Sequence, residues 1–151
     1  MILDRRGIEE ILPQRDPFLF VDKVLELEEG RRVVATYTFP PDAYFFKGHF
    51  PGRPVVPGVL LIEAMAQAAG VLGYKTSKCT GREKGVLLVK VDKVVFRRPV
   101  LPGEELVMEM ILEHYRYRMS KYSGKVTVGG IICAEATVMA AFAQSDTEIK
   151  I

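Results

Sequence analysis

At 151 residues the chain is long enough for one domain with a real hydrophobic core, and its charged fraction of 26 % and hydrophobic fraction of 48 % argue against disorder and fibrous architectures. A formal charge of +2 is too small for bulk nucleic-acid binding. The longest apolar stretch, Gly58 to Tyr74, is short for a bilayer span and is interrupted by Glu63 and Gln67. Two cysteines, Cys79 and Cys133, lack metal-site spacing, and the opening segment MILDRRGIEEILPQRDPF lacks an apolar signal core; together these predict a reduced, cytoplasmic, metal-free protein.

Residues 4–12 can form a short helix with Asp4 as N-cap, stopped by Pro13. FLFVDKVLELEEGRRVVATYTF reads as a hairpin turning at Glu28 to Arg31, with Val33, Ala35, Tyr37 and Phe39 on one face at period two. PPDAYFFKGHFPGRP is loop. A helix starting near Pro57 or Gly58 then runs through VLLIEAMAQAAGVLGY; apolar on every face, it must be wrapped by something else. Three strands are expected to follow as a meander, at 85–100, 104–119 and 124–143. LPGEE and SKYSGK would be the turns, and Gly129-Gly130 a bulge in the last strand, with glycines marking the bends. One long antiparallel sheet curled around one apolar helix, an α+β fold over residues 1–151, satisfies this order.

The chain has two histidines. His114 shares a strand face with Arg116 and Arg118, a solvent-facing pattern. His49 instead sits in a glycine- and proline-rich loop that restricts the backbone and brings it close to an occupant. Glu63 is the charge inside the buried helix, and a buried carboxylate needs a partner or a polar cavity. Gln67 is four residues on, on the same face, and can orient it. Gly58, near the helix start, has an outward amide with the helix dipole behind it and no side chain to block a ligand oxygen. A base, an acid and an amide donor predict proton abstraction next to a carbonyl, with acid catalysis on a leaving group. SGKVTVGG lacks phosphate-loop spacing, no serine lies in a nucleophile elbow, and the methionines read as core or tunnel filler.

ILPQRDPFLFVDKV, GHFPGRPVVPGVLLIEAMAQAAG, VDKVVFRRPVLPGEEL and KYSGKVTVGGIICAEATVMAAF resemble, in order, the blocks of the FabZ-type 3-hydroxyacyl-acyl-carrier-protein dehydratases of type II fatty acid synthesis. The resemblance implies a hot-dog fold, a central helix wrapped by a curved sheet. It makes His49 the catalytic histidine, Glu63 the catalytic carboxylate, Gly58 the amide donor to the thioester carbonyl and Gln67 the support of Glu63. Proteins of this type pair so that His49 of one subunit faces Glu63 of the other, and three dimers commonly form a hexamer. Phe50, Val59 and Leu60 are then expected to line an acyl tunnel, and Arg97 and Arg98 to dock the acidic carrier protein. The partners implied are acyl carrier protein and further copies of the chain, with no nucleic acid, no membrane and no cofactor. Two positions depart from the pattern: Gln14-Arg15-Asp16 stands where the family usually has His-Arg-Tyr, which bears on loop packing or the tunnel entrance. Glutamate at position 63 resembles the FabZ type rather than the dehydratase-isomerases (FabA), which usually carry aspartate. The alternatives are a hot-dog enoyl-CoA hydratase, an acyl thioesterase and a non-catalytic acyl-thioester-binding regulator.

Overall fold

The computed structural model describes residues 1–81 and 85–143. Helix α1 (Arg5–Ile11) begins as expected, with the Asp4 carboxylate accepting from the Gly7 amide at 2.9 Å, and turns Ile8 and Ile11 inward. Strands β1 (Lys23–Glu28) and β2 (Arg32–Thr38) make the hairpin. Its turn closes from the Arg31 amide to the Glu28 carbonyl at 3.0 Å, with Gly30 at φ 77°. Val33, Ala35, Tyr37 and Phe39 all join the core. After a 3-10 turn (Tyr44–Lys47) comes α2 (Gly58–Ser77). Its 20 residues span about 30 Å.

Four more strands complete one antiparallel sheet: β3 (Gly85–Phe96), β4 (Glu105–Arg116), β5 (Met119–Val128) and β6 (Ile131–Ala143). The sheet order is β1-β2-β4-β5-β6-β3. It wraps α2, whose Ala64, Met65, Ala68, Val71 and Leu72 are sealed against Met108, Met110, Val126 and Val138. This is the hot-dog arrangement. The methionines at 65, 108 and 110 are core filler, adapting to an irregular gap between helix and sheet. Among the described residues no helix is long and apolar enough to cross a membrane.

The C-terminal half corrects the sequence reading. Residues 124–143 are not one bulged strand. Gly129 and Gly130, at φ 56° and 81°, form the two-residue turn between β5 and β6, because a tight hairpin loop wants left-handed backbone at both central positions and glycine adopts it without steric cost. SKYSGK is not a turn but lies in β5; the chain reverses instead at Tyr117-Arg118, with Tyr117 at φ 58°. The expected three-strand meander thus has four strands, and β3 lies beside β6, at the far edge from β1. Nor do glycines bend the sheet. Register shifts fall at Val24/Glu26, Leu88/Lys90, Asp92/Val95, Leu112/His114 and Val126/Thr127, where an unmatched residue increases the local twist. Lys93, at φ 51°, is held in one of them by the Asp92 carboxylate, which accepts from its amide at 2.8 Å.

Glycine serves close packing elsewhere. A Cβ on Gly124 would lie 2.0 Å from the Glu109 carbonyl oxygen and 2.4 Å from Met110 Sδ, and backbone of a paired strand cannot step aside. Gly124→Ala is expected to cost about 2 kcal/mol or more. Urea unfolding checks it: the midpoint falls while the slope of stability on urea is unchanged.

Candidate active site

The loop bearing His49 is closed by its own backbone. Phe50-Pro51-Gly52-Arg53 is a β-turn with proline second and glycine, at φ 71°, third; the Arg53 amide donates to the Phe50 carbonyl at 2.9 Å. The Val55 amide donates to the His49 carbonyl at 3.0 Å, and the His49 amide to the Phe45 carbonyl at 3.1 Å. The His49 ring is therefore fixed on a pinned segment. Its Nδ1 lies 2.8 Å from the Val55 carbonyl oxygen. That oxygen can only accept, so Nδ1 carries the hydrogen, and in the neutral ring the lone pair falls on Nε2. The Phe50 ring stacks on the imidazole, centroids 4.0 Å apart.

Three residues after the Val55 carbonyl, α2 begins at Gly58. Pro57 is its N-cap and supplies no side-chain acceptor; the Leu60 amide donates to the Pro57 carbonyl at 2.9 Å, whereas the Gly58 amide, at the first position, has no intrahelical acceptor and no side-chain cap. A Cβ on Gly58 would come within 2.9 Å of the Phe96 ring, which is why the residue is glycine. His49 and Gly58 line one cavity of about 520 Å³, with Val55, Val56, Val59 and Phe96 among its apolar walls. Of the three residues expected to form a tunnel, Val59 lines this cavity, Phe50 covers the histidine and is half exposed, and Leu60 packs against the core. Arg97 and Arg98 stand at the same cavity but are ion-paired, Arg97 to Glu135 at 2.7 Å and Arg98 to Glu104 at 3.0 Å. His114 is exposed on β4.

Glu63 and Gln67 occupy a different, smaller pocket of about 70 Å³, together with Gln14 and, from β3, Val86 and Leu88. Gln67 is 2 % exposed and fully engaged. Its Oε1 accepts from the Phe20 amide at 2.7 Å, and its Nε2 donates to the Phe18 carbonyl and to Glu63 Oε1, both at 3.0 Å. The i,i+4 pairing expected on α2 is thus present, and the segment before β1 locks it. Burial pushes the Glu63 carboxyl above its ordinary range, against a smaller opposing effect of the Gln67 hydrogen bond.

Within one chain, then, His49 and Gly58 share a cavity, Glu63 and Gln67 share a pocket, and the two have no lining residue in common. Sequence reasoning missed the Val55 carbonyl, because a backbone acceptor leaves no mark on residue identity. It also missed Phe96 opposite Gly58 and Gln14 beside Glu63, both brought there from distant segments.

The FabA-like domain family matches residues 12–137. The 3-hydroxyacyl-[acyl-carrier-protein] dehydratase FabZ of Thiobacillus denitrificans is 43 % identical over 139 residues, covering 91 % of this chain and 96 % of its own. That of Geotalea uraniireducens is 42 % identical over 94 % of this chain and 98 % of its own. Among solved structures, the dehydratase heterocomplex ApeI:P from Xenorhabdus doucetiae superposes with a TM-score of 0.76 at 20 % identity, covering 93 % of both chains. A hypothetical thioesterase from Streptococcus pneumoniae, bound to coenzyme A, gives a TM-score of 0.60 at 11 % identity over 82 % of this chain and 86 % of its own. These structural likenesses speak to the fold, whereas the family match and the identities to curated relatives speak to descent: the chain belongs to the FabA-like domain family, alongside dehydratases of the FabZ type.

Proposed function

We propose that the protein dehydrates (3R)-3-hydroxyacyl thioesters on acyl carrier protein to the trans-2-enoyl thioesters in fatty acid biosynthesis, by acid–base chemistry of His49 and Glu63. The relation to FabZ dehydratases over nearly the whole chain supports the reaction, and the observation that carries the residue assignment is the shared cavity of the His49 ring and the Gly58 amide. The thioester carbonyl accepts from the Gly58 N–H, with the dipole of α2 behind it, so negative charge developing on that oxygen is stabilised. His49 Nε2, with its lone pair toward the cavity, removes the C2 proton. Glu63, whose carboxyl burial shifts toward the protonated form, gives its proton to the 3-hydroxyl as the C3–O bond breaks and water leaves. The acyl chain occupies the apolar remainder of the cavity.

The site is completed by a second copy. The Glu63 pocket lies at the start of β3, at Val86 and Leu88, and the His49 cavity at its end, at Phe96. Among the described residues the outer edge of β3 has no strand partner, and Leu88, Val91, Val95 and Phe96 of β3 are exposed. Two copies pairing β3 to β3 about a two-fold axis run antiparallel, which sets the start of one strand against the end of the other. His49 of one chain then meets Glu63 of its partner. Three such dimers form a hexamer, and the carrier protein docks at the mouth bearing Arg97 and Arg98. The two unpaired buried cysteines fit a cytoplasmic location.

The test is turnover of a 3-hydroxyacyl-carrier-protein substrate with enoyl product resolved from free acid. Enoyl thioester supports the reading; free acid, or no turnover, sinks it.

A further inference from the structure

Gln14 lines the Glu63 pocket, and its Oε1 is buried without a hydrogen-bond partner among the described residues. A buried amide oxygen left so is costly unless something donates to it during function. None of the pocket's other described polar side chains does this in the resting arrangement. Gln67 has committed both of its Nε2 hydrogens elsewhere, and the Glu63 carboxyl makes no hydrogen bond to Gln14 Oε1. An acceptor placed beside a carboxyl group is suited to a third group that both donates and accepts: a hydroxyl or a water. The pocket volume of about 70 Å³ admits a group of that size.

We propose that Gln14 is a positioning residue for the leaving oxygen: Gln14 Oε1 accepts a hydrogen bond from the substrate 3-hydroxyl while Glu63 donates to the oxygen of that hydroxyl. This rests on the dehydratase reading above and adds a residue to it. In the forward step the C3–O bond breaks, the Glu63 proton goes to the departing oxygen, and the C2 proton goes to His49. The water that forms keeps the hydrogen already bonded to Gln14, and in the reverse direction the same two contacts orient water for addition. As Glu63 protonates the oxygen, the hydrogen facing Gln14 becomes a better donor. The contact therefore strengthens on the way to the transition state and belongs to kcat rather than to substrate binding.

Among the described residues, the groups around Glu63 are few. The α2 face adds the Tyr74 hydroxyl, the approach from α1 adds Leu12 and Gln14, and β3 adds Val86 and Leu88. Tyr74 is itself pushed up by burial, so among the described lining residues Glu63 is the group that titrates below the alkaline range.

The experiment compares kcat, KM and pH profiles of wild type, Gln14→Met, Gln14→Glu and Glu63→Gln on a 3-hydroxyacyl-carrier-protein substrate. Gln14→Met keeps length but removes the acceptor, and is expected to lower kcat at least about tenfold with KM within about twofold. Gln14→Glu restores an acceptor; kcat recovers to within about threefold of wild type, and the alkaline limb moves up because a second carboxylate disfavours ionisation of Glu63. A Gln14→Met enzyme with wild-type kcat, a loss confined to KM, or a Gln14→Glu enzyme as slow as Gln14→Met at every pH overturns the proposal. Should Gln14→Met not fold, the limb of Gln14→Glu decides, and an unmoved limb overturns it. Wild-type turnover that is lost in Glu63→Gln but kept in Gln14→Met refutes Gln14 alone, whereas a wild type without enoyl product refutes the dehydratase reading.

Discussion

His49→Ala is expected to lower kcat by about a thousandfold, with KM for the carrier-protein substrate changed little, because it removes the proposed base and leaves the cavity walls and the Gly58 amide in place. The loop should survive the change. Its closing contacts are main-chain: Arg53 to Phe50, Val55 to His49 and His49 to Phe45. The lost Nδ1–H contact leaves only the Val55 carbonyl to be satisfied, and that oxygen borders a cavity water can enter. Steady-state kinetics alongside thermal melting separates the outcomes. Activity within tenfold of wild type, or a loss matched by unfolding, removes His49 from the role of base.

Glu63→Gln is expected to lower kcat by about a hundredfold or more and, at neutral pH, to raise the melting temperature. The rate falls because an amide cannot deliver the proton. The stability gain follows from the direction in which burial moves the carboxyl group. In the unfolded chain Glu63 ionises in the ordinary range, whereas in the folded chain it holds its proton to higher pH. Its contribution to folding is thus complete below the unfolded value and is lost as pH rises through the folded one. Above that point the native protein carries a partly desolvated carboxylate, and glutamine, which can keep the Gln67 contact, removes that cost. Melting curves of the two proteins should coincide at about pH 4 and separate, variant above wild type, by about pH 8. A variant less stable than wild type at the higher pH contradicts this. Mixing the two dead variants tests the shared site. Random re-pairing of His49→Ala with Glu63→Gln makes heterodimers that hold one intact site out of two, so about a quarter of wild-type turnover returns. No recovery after proven exchange means that each chain works alone.

The elements that repeat at a clear period were legible before any coordinates. The all-apolar stretch from Gly58 announced a wrapped helix, Asp4 its cap on α1, and the alternation through Val33 to Phe39 a core-facing strand. The reading failed where one dipeptide supports two geometries. Gly129-Gly130 suits a bulge as well as a two-residue turn, and only the pairing of Val128 with Ile131 decides it. The same holds for the site. Glu63 and Gln67 are joined by helix periodicity, so their hydrogen bond could be expected. His49 and Gly58 are joined by a loop whose shape is set by main-chain bonds, and the separation of their cavity from the Glu63 pocket depends on where β3 falls in the sheet. Gln14 reaches that pocket from a segment with no period at all.

The position of β3 also bears on how the chain acquires its structure. Its partner within the chain, β6, begins 46 residues after β3 does, so among the described strands β3 is the one without a hairpin neighbour, whereas β1 pairs with β2, and β4, β5 and β6 pair in turn, through short connections. Local hairpins close quickly and distant pairings slowly, so β3 is the strand that waits. During synthesis it emerges apolar along Val86, Leu87, Leu88, Val91 and Val95 and has no sheet to join until β6 has left the ribosome. Growing chains at high concentration are most exposed to mutual sticking in that interval, and the strand proposed to bring two finished copies together is the same one that would tangle unfinished ones.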